Sequence, residues 1–483
     1  MSHFVVVLGG YPDVGKGVLS ASIAYLLKQR GNNVFIMKFD GYFNINSGTM
    51  NHQELDFSCQ YNNEEVFVLS DGFCGDSDSG LYERFLNTYL TAEHNLTNGI
   101  IFSSLIDKEK VGGFHSGKIL EINDIKKQLY DQLTGLGNGR DFVIIEVGGT
   151  IGDFENDYFI DLLQEMKNRG HDMKFILLAP VIKFIEKRPG SVISSETKLI
   201  RMAVEKLKRK GIKIDSLICR SEGLDDIYDN NRDSLSRRCD IPIEMIMLDP
   251  KCRVVYELPR LLEEQGLVCK LFPDQGPMLD DPLGDFVERM RAAKKRVRIA
   301  VFGNTESNGS FVSLNEALLH SCVKQGALPS IIWKQSFDGR LDADCVILTD
   351  GFGDSKVLVD EVKRSKMPFL AICSGFTSVV RSITGSEPDV RTKRCGGSVV
   401  TLLAAAKDIY GAGTATERYR FNGSDYSRID GGGIRVIGVN SGRPHMISLD
   451  GSFFVAVQFH PEYISRPNRT HPIIDRLIKE AIK

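Results

Sequence analysis

A glycine-rich loop near the N-terminus carries a lysine in a position suited to holding phosphate groups. The apolar run "FVVVL" leads into Gly10-x-x-x-x-Gly15-Lys16-Gly17, after which a helical pattern of small and apolar residues begins. Backbone N–H groups in such a loop, with the positive end of a helix behind them, stabilise a polyphosphate, and the lysine reaches its terminal phosphates. The alternative is a plain turn between strand and helix with a surface lysine.

The magnesium ligand that usually ends this motif does not follow Lys16. A Ser or Thr hydroxyl normally binds Mg²⁺ at that place, which here holds Gly17. Since Mg²⁺ prefers oxygen ligands, we expect carboxylates from elsewhere in the chain to supply them. Asp76 precedes a helical pattern in "GDSDSGLYERF", and Glu146 ends the apolar strand pattern "FVIIEV". A carboxylate at the end of a parallel strand faces the crevice where ligands bind, although Glu146 also suits an ordinary strand-end charge.

A cysteine in the C-terminal third stands where a strand pattern turns sharply into a helix pattern. Cys373 occupies that turn in "MPFLAICSGFTS". We expect such a turn to expose the thiol, and the helix N-terminus that follows favours the thiolate. A cysteine nucleophile needs a base and a third group that orients the base. Taken alone, Cys373 is more typical of a small buried apolar residue.

The base and its orienting group follow another strand pattern. "FFVAVQFHPE" contains His460 and Glu462, whose spacing of two lets both side chains leave the strand end on one side. The turn "TDGFGDS" offers backbone N–H donors, and Gly351 is the expected oxyanion-hole residue. His460 alone would suit a structural histidine. Together these residues predict a Cys373–His460–Glu462 catalytic triad.

Composition excludes several other classes of protein. The 483 residues carry a formal net charge of −3, which gives no electrostatic reason to expect nucleic acid or an anionic membrane as a partner. No apolar run approaches the roughly 20 residues that span a bilayer, and the first residues lack the basic region of a signal peptide. The ten cysteines are scattered without CxxC pairs. This argues against a zinc site or a disulfide framework and favours a reducing, cytoplasmic location.

Strand and helix patterns alternate along most of the chain. Short β-branched runs such as "DFVIIEV" and "KFILLA" are separated by helical stretches such as "ETKLIRMAVEKLKRKG". Continuous apolar strands alternating with helices predict an α/β fold with a mainly parallel sheet covered on both faces. The pattern breaks at "FPDQGPMLDDPLGDF" and restarts with "VRIAVFG". We therefore expect one domain over residues 1–272, a linker over 273–296 and a second α/β domain over 297–483.

Several short segments, in their order along the chain, resemble CTP synthases. These segments are "GGYPDVGKG", "IMKFDGYFNINSGTM", "DSDSGLYERF", "IEVGGTIGDFEN" and "LICRSE". Two later segments, "FLAICSGF" and "QFHPEY", resemble the glutaminase domain fused to that enzyme. The resemblance covers nearly the whole chain. It implies a dethiobiotin-synthetase-like phosphate-loop domain, with a doubly wound sheet, joined to a class I glutamine amidotransferase domain.

The resemblance also implies roles for particular residues. Asp76 and Glu146 correspond to the family's Mg²⁺ ligands, and Arg418 to the arginine that binds the glutamine α-carboxylate, with a surface salt bridge as its alternative role. The residues implied for the two nucleotides are, for ATP, Gly15, Lys16, Gly17, Lys38 and Asp76, and for the acceptor nucleotide, Asp153, Glu155 and Lys198.

One departure from the family pattern concerns the acceptor nucleotide. The family segment that binds the UTP triphosphate aligns with "ETKLIR", where Glu196 replaces a lysine and only Thr197 and Lys198 are kept. Replacing a cation by Glu beside a polyphosphate removes an attraction and adds a repulsion. The acceptor is therefore either a uracil nucleotide with fewer phosphates or UTP held in another way.

The activity that the resemblance implies is ATP-dependent amination of the C4 position of a uracil nucleotide, UTP to CTP, with ammonia released from glutamine. Three alternatives stay open: an amidoligase of the same family with a different uracil nucleotide, a synthetase with an impaired glutaminase that uses free ammonia, and a non-enzymatic ATP-binding assembly subunit. Because members of the family form tetramers that share the nucleotide site, we expect a homo-oligomer, a homotetramer by this resemblance.

Overall fold

A computed structural model of the chain describes residues 2–47, 66–113, 121–184, 194–221, 223, 229–303, 311–349, 352, 355–403 and 405–483. By the contacts among their described residues, these segments form two compact units. The first unit consists of Met1–Ile45 and Glu93–Gly284, and the second of Asn46–Ala92 and Asp285–Lys483. In the described part of the chain, no helix has both the length and the apolar character required to cross a membrane.

The strands, in chain order, are β1 His3–Gly9, β2 Val34–Asp40, β3 Phe67–Val68, β4 Cys74–Gly75, β5 Asn95–Thr97, β6 Phe142–Val147, β7 Met173–Pro180, β8 Ile182–Phe184, β9 Ser194–Glu196, β10 Ser216–Ser221, β11 Ile246–Pro250, β12 Lys295–Phe302, β13 Ala327–Lys334, β14 Cys345–Leu348, β15 Phe369–Ile372, β16 Val390–Leu402, β17 Thr414–Asp425, β18 Arg435–Asn440, β19 Arg443–Ser448 and β20 Phe454–Val457.

The α-helices are α1 Lys16–Lys28, α2 Ser77–Leu86, α3 Asn98–Lys110, α4 Ile122–Leu136, α5 Phe154–Asn168, α6 Lys198–Arg209, α7 Asp229–Cys239, α8 Leu258–Glu264, α9 Leu267–Leu271, α10 Pro282–Ala292, α11 Phe311–Lys324, α12 Lys356–Ser365, α13 Ser374–Thr384, α14 Ala405–Tyr410 and α15 Pro472–Ile482. Short 3₁₀ turns occur at Ala92–His94, Ile243–Met245, Val255–Glu257 and Pro461–Ile464.

The first unit is built around a seven-stranded sheet in the order β11-β10-β7-β1-β6-β2-β5. Every neighbouring pair in it is parallel. The central strands β1 and β6 are buried along nearly their whole length, as their continuous runs of Val and Ile require when helices cover both faces of a sheet. The main apolar core combines one face of this sheet with α4, α5 and α6. The predicted α/β class with a mainly parallel sheet is confirmed for this unit.

The second unit contains a nine-stranded sheet in the order β13-β12-β14-β15-β20-β19-β18-β16-β17. The half from β13 to β20 is parallel, and the half from β20 to β17 is antiparallel. Separate apolar clusters cover its two faces, one including α11 and α15 and the other α12 and α13. The second α/β unit predicted from the sequence is therefore present.

The second unit also includes the described part of the segment before Ala92. Gly397 N donates to Ser70 O over 2.9 Å, which joins the β3–β4 region to the long β16–β17 hairpin. A Cβ atom on Gly72 would lie 2.8 Å from Cys395 O, so the two backbones approach as closely as glycine allows. The predicted limits 1–272, 273–296 and 297–483 stay a prediction, and they assign this segment to the first domain.

We expect the middle of β6 to carry much of the stability of the first unit. Ile145 is fully buried in the main core, between β1 and β2. Replacing it with Ala should lower the free energy of opening of this sheet by about 2–5 kcal/mol, because the cavity adds to the lost transfer free energy, whereas Ile145→Val should cost about 0.5–1.5 kcal/mol. Hydrogen exchange of the β1 and β6 amides measures the free energy of opening in both variants. Equal protection in the two variants would contradict this placement.

Candidate functional site

The phosphate loop of the first unit has the geometry that its motif predicts. Gly15 lies in the left-handed region, with φ of 99°, and α1 begins at the next residue. Lys16 is buried, and its Nζ donates to Gly149 O over 2.8 Å. A Cβ atom on Gly9 would lie 2.8 Å from the Lys16 Cδ, so the lysine folds back across the end of β1. The loop therefore holds its lysine at the same sheet edge as the glycine pair after β6.

The carboxyl ends of β2 and β6 add a lysine and two carboxylates to that edge. Lys38 and Glu146 are neighbours in register on these parallel strands, and both are buried. Lys38 Nζ lies 3.7 Å from Asp40 Oδ1. A Cβ atom on Gly148 would lie only 2.1 Å from that carboxylate oxygen, so glycine is required where Asp40 meets the turn after β6. Cations suited to phosphate and oxygen ligands suited to Mg²⁺ are thus adjacent.

The start of α5 brings one predicted acceptor-binding residue to the same place. Asp153 occupies the N-cap position of α5, and its Oδ2 accepts from Thr150 N over 2.6 Å. A Cβ atom on Gly149 would lie 2.9 Å from that Oδ2, so Gly149 stands between Lys16 and Asp153. Glu155 is exposed in the first turn of α5. The structure therefore assembles Lys16, Lys38, Glu146 and Asp153 along one edge of the sheet.

Helix α6 packs against the back of the phosphate loop. A Cβ atom on Gly10 would lie 3.2 Å from the Ala203 Cβ, and Lys206 Nζ donates to Ile151 O over 2.9 Å. Lys198 is exposed at the first position of this helix. Its predicted contact with the acceptor phosphates stays a prediction.

Asp76 belongs to the second unit, whereas Glu146 belongs to the first. Asp76 is buried at the N-cap of α2, where its Oδ1 accepts from Asp78 N over 3.1 Å and from Ser79 N over 3.3 Å. Within the described ranges, no group of three or more His, Cys, Asp or Glu side chains is arranged to hold a metal ion. The predicted convergence of Asp76 and Glu146 on Mg²⁺ stays a prediction.

In the second unit, Cys373 stands at a strained turn between β15 and α13. Its backbone has φ of 55° and ψ of −111°, a sparsely populated conformation for a residue with a side chain. Cys373 N donates to Val457 O over 2.8 Å, and a Cβ atom on Gly375 would lie 2.4 Å from Leu348 O. These contacts hold the elbow, which follows β15, against the carboxyl ends of the two parallel strands that flank it, β14 and β20.

The expectation of an exposed thiol is wrong, because Cys373 is only 6% exposed. Strand β17 passes close to it, with Arg420 O 4.0 Å from the Sγ atom. The position after β15 and before α13 is nonetheless the one predicted. Burial by itself disfavours a thiolate, so the helix N-terminus and the neighbouring histidine must stabilise it.

His460 interacts with both Glu462 and Cys373, the two other residues of the predicted triad. His460 Nδ1 and Glu462 Oε1 are 2.7 Å apart, and both residues are buried. Burial acts to lower the pKa of His460, but the charges of Glu462 and Cys373 and hydrogen bonds with both residues raise that pKa well above its usual value. The raised pKa favours the protonated form of His460, and a protonated imidazole would stabilise a Cys373 thiolate.

The two other predicted glutaminase residues have different outcomes. Gly351 lies outside the described residues. Arg418 is buried, and its two terminal nitrogens each donate to one carboxylate oxygen of Glu83 over 2.9 Å. Arg418 therefore makes a salt bridge, the alternative role, although a buried one rather than one at the surface. Its binding of glutamine stays a prediction.

Sequence reasoning did not single out three residues of these sites: Asp40, Lys206 and Glu83. Asp40 ends the strand pattern "VFIMKFD", so the strand-end argument applied to Glu146 would also have found it. Lys206 lies on a regular amphipathic helix, where the sequence does not distinguish it from other lysines. Glu83 is 335 residues from Arg418 in the chain, and nothing in the sequence pairs them.

Comparison with known proteins shows the family to which this chain belongs. The family model for the N-terminus of CTP synthase matches residues 3–274, and the model for class I glutamine amidotransferases matches residues 309–480. Together, the two family models indicate a glutamine-hydrolysing ligase that forms a C–N bond. Within that class, this chain belongs to the CTP synthase family.

Relatives match over nearly their whole length. The CTP synthase of Methanocaldococcus jannaschii is 30% identical over 548 residues, covering 99% of this chain and 98% of the relative. The CTP synthase of a Roseiflexus species is 32% identical over 546 residues, covering 100% of this chain and 95% of the relative. Among solved structures, the glutaminase domain of Trypanosoma brucei CTPS matches with 17% identity and a TM-score of 0.33, covering 38% of this chain and 94% of that one.

The pKa of His460 gives a testable pH dependence for glutamine hydrolysis. Glu462→Gln removes a charge that raises this pKa, so the imidazolium should lose its proton at lower pH. We expect the alkaline limb of the kcat/KM profile to move to lower pH, and kcat to fall by about 100-fold or more. Glutamate release measured against pH checks both effects, with Glu480→Gln in α15 as a control. An unchanged alkaline limb would show that it reports the deprotonation of a group other than His460.

Proposed function

We propose that this chain aminates the C4 position of a uracil nucleotide, with UTP as the first candidate. ATP is the phosphoryl donor and glutamine is the nitrogen donor. The observation that carries the proposal is the Cys373–His460–Glu462 arrangement at a strained elbow, in a chain that belongs to the CTP synthase family. The buried lysines at the phosphate loop and at the end of β2 support the ATP-dependent half.

Glutamine hydrolysis begins with the Cys373 thiolate. It attacks the side-chain amide carbon of glutamine, and His460 donates its proton to the departing nitrogen, which leaves as ammonia. A γ-glutamyl thioester remains on Cys373. His460, now neutral, takes a proton from water as the water attacks this thioester, which releases glutamate and restores the thiolate. Glu462 holds the imidazole in orientation through its 2.7 Å contact with Nδ1.

In the first unit, phosphorylation of the C4 oxygen by ATP turns a poor leaving group into a good one. Lys16 and Lys38 neutralise the charge on the transferring phosphoryl group, and such electrostatic stabilisation supplies most of the catalysis in this class of reaction. Ammonia then adds at C4, and phosphate departs. Asp153 stands beside the Lys16 loop, where it would meet the acceptor ring.

Magnesium fits the donors present. Glu146 and Asp40 supply carboxylate oxygens at the edge of the first unit's sheet that carries the two lysines. Oxygen donors of this kind suit Mg²⁺, which when bound would neutralise charge on the ATP phosphates. By family resemblance, Glu146 and Asp76 would hold it.

A second acceptor has one observation in its favour, namely Glu196, where the family pattern places a lysine. UDP or UMP would suffer less repulsion there than UTP does.

We further propose a cytoplasmic homo-oligomer, tetrameric by family resemblance. The cysteines among the described residues are all free, as a reducing compartment would keep them.

Nitrogen-source dependence tests the assignment of the nucleophile. Cys373→Ala should lower glutamine-dependent turnover by about 1000-fold or more, because the thioester cannot form, while turnover with ammonium stays unchanged. Product formation with each nitrogen source is the measurement, and Cys269→Ala, which removes an exposed cysteine, is the matched control. Survival of both activities would show that another group is the nucleophile.

An acceptor screen tests the substrate. With Mg-ATP and ammonium, we expect UTP, UDP or UMP to give ADP together with an aminated product identified by mass. Lys16→Ala should lower turnover by about 100-fold or more with either nitrogen source, because phosphate charge is then unopposed. Lys127→Ala, an exposed lysine of α4, should change nothing. ADP release without an aminated uracil nucleotide would contradict the proposed acceptor class.

A further inference from the structure

A buried charge cluster in the second unit surrounds Glu83 of helix α2. We define the Glu83 cluster as Glu83, Arg418 and Arg466, all of which are nearly or fully buried. Glu83 Oε1 accepts from Leu90 N over 2.8 Å and from Arg418 Nη2 over 2.9 Å. Glu83 Oε2 accepts from Arg418 Nη1 over 2.9 Å and also from Arg466 Nη2. Four donors therefore satisfy one carboxylate, which leaves it little freedom to move.

Both arginines of the cluster hold the chain that carries the catalytic histidine. His460 N donates to Arg418 O over 2.8 Å. On the other side, Arg466 Nη1 donates to Tyr463 O over 2.8 Å and to Ser465 O over 3.0 Å. The Tyr463 ring stacks on the His460 ring, with centroids 5.0 Å apart. The position of the His460 ring thus depends on backbone and ring contacts that the two arginines maintain.

The chain around Glu83 makes further contacts with the same segment. Tyr463 OH donates to Val66 O over 3.0 Å, and Arg418 Nη1 donates to Val68 O over 3.0 Å. The Phe67 ring packs edge-on against Tyr463 at 5.1 Å. The segment 66–90 therefore contacts the triad-bearing chain through β3 as well as through α2.

The charge on Glu83 is what makes this cluster stable. Burial lowers the pKa of Arg466 to about 10, an effect that Glu83 opposes and that Arg418 and Arg84 reinforce. Removal of the only carboxylate in the Glu83 cluster would leave two buried guanidinium groups facing each other. They would then move apart or draw in water, and the backbone that they hold would move with them.

We propose that Glu83 is a positioning residue for the glutaminase triad: by binding Arg418 and Arg466 it sets the His460 ring against Cys373. This inference rests on the proposed function of the triad. Asp76, the predicted metal ligand, caps the same ten-residue helix. Helix α2 therefore carries the residue that positions the base of the glutamine reaction, and its N-cap is a residue assigned to the nucleotide reaction.

The test is Glu83→Gln in the full chain, a change that keeps the shape of the side chain and removes its charge. We expect kcat for glutamate release to fall by about 10- to 100-fold, as displacement of a catalytic group by a fraction of an ångström to an ångström does. Alkylation of Cys373 by iodoacetamide should shift to higher pH, toward the value of about 8.5 for an unassisted thiol. Glu361→Gln, which breaks an ion pair with Arg364 on α12, should leave kcat and the pH profile unchanged.

Two further variants separate positioning from simple loss of folding. Glu83→Asp keeps the charge that binds the two arginines, so its alkylation profile should stay at the wild-type pH. Glu83→Gln combined with Arg466→Met removes one unpaired cation and should restore thermal stability, yet keep the shifted alkylation profile. A wild-type profile in Glu83→Gln, or a loss of activity that follows only the unfolded fraction, would overturn the inference.

Alkylation of Cys373 requires no turnover of glutamine. It therefore tests the positioning of His460 by Glu83 separately from the proposed function of the chain. If the wild-type chain released no glutamate, the proposed function would fail. A difference in alkylation pH between the wild-type chain and Glu83→Gln would still support the positioning of His460 by Glu83, and the absence of a difference would still overturn it.

Discussion

Both candidate sites depend on a single geometric constraint: the carboxyl ends of parallel strands lie along the same edge of a sheet. In the first unit, β1 ends in the phosphate loop, β2 ends with Lys38 and Asp40, and β6 ends with Glu146. In the second unit, adjacent strands β15 and β20 lead into Cys373 and His460. Residues far apart in the chain become neighbours because each follows a strand of the same direction.

This constraint explains how much of the sites could be predicted from the sequence. The phosphate loop, Glu146 and the triad each stand at a strand end marked by glycine, proline or a change of hydrophobic period, and those signals are local. The strain at Cys373 was also foreseeable, since a strand that turns at once into a helix forces an unusual backbone. Burial of its thiol was not foreseeable, because β17 covers it from elsewhere in the chain.

Long-range charge pairing accounts for most of what could not be predicted. Arg418 lies in a segment that resembles the glutamine-binding segment of the family, yet its guanidinium pairs with Glu83, which the sequence suggested only as a helical residue of the first domain. Likewise, no local pattern shows that the chain around α2 packs into the second unit. Buried ion pairs are decided by packing between distant segments, and a single sequence carries no record of that packing.

In the proposed function, the two units act in sequence on one nitrogen atom. The most direct test supplies the full chain with Mg-ATP, a mixture of UTP, UDP and UMP, and glutamine labelled with ¹⁵N in its amide, in the presence of unlabelled ammonium. We expect an aminated uracil nucleotide whose 4-amino group carries the glutamine ¹⁵N, with one glutamate and one ADP released for each product. Release of glutamate with no aminated nucleotide, or with a product that carries only unlabelled nitrogen, would contradict it.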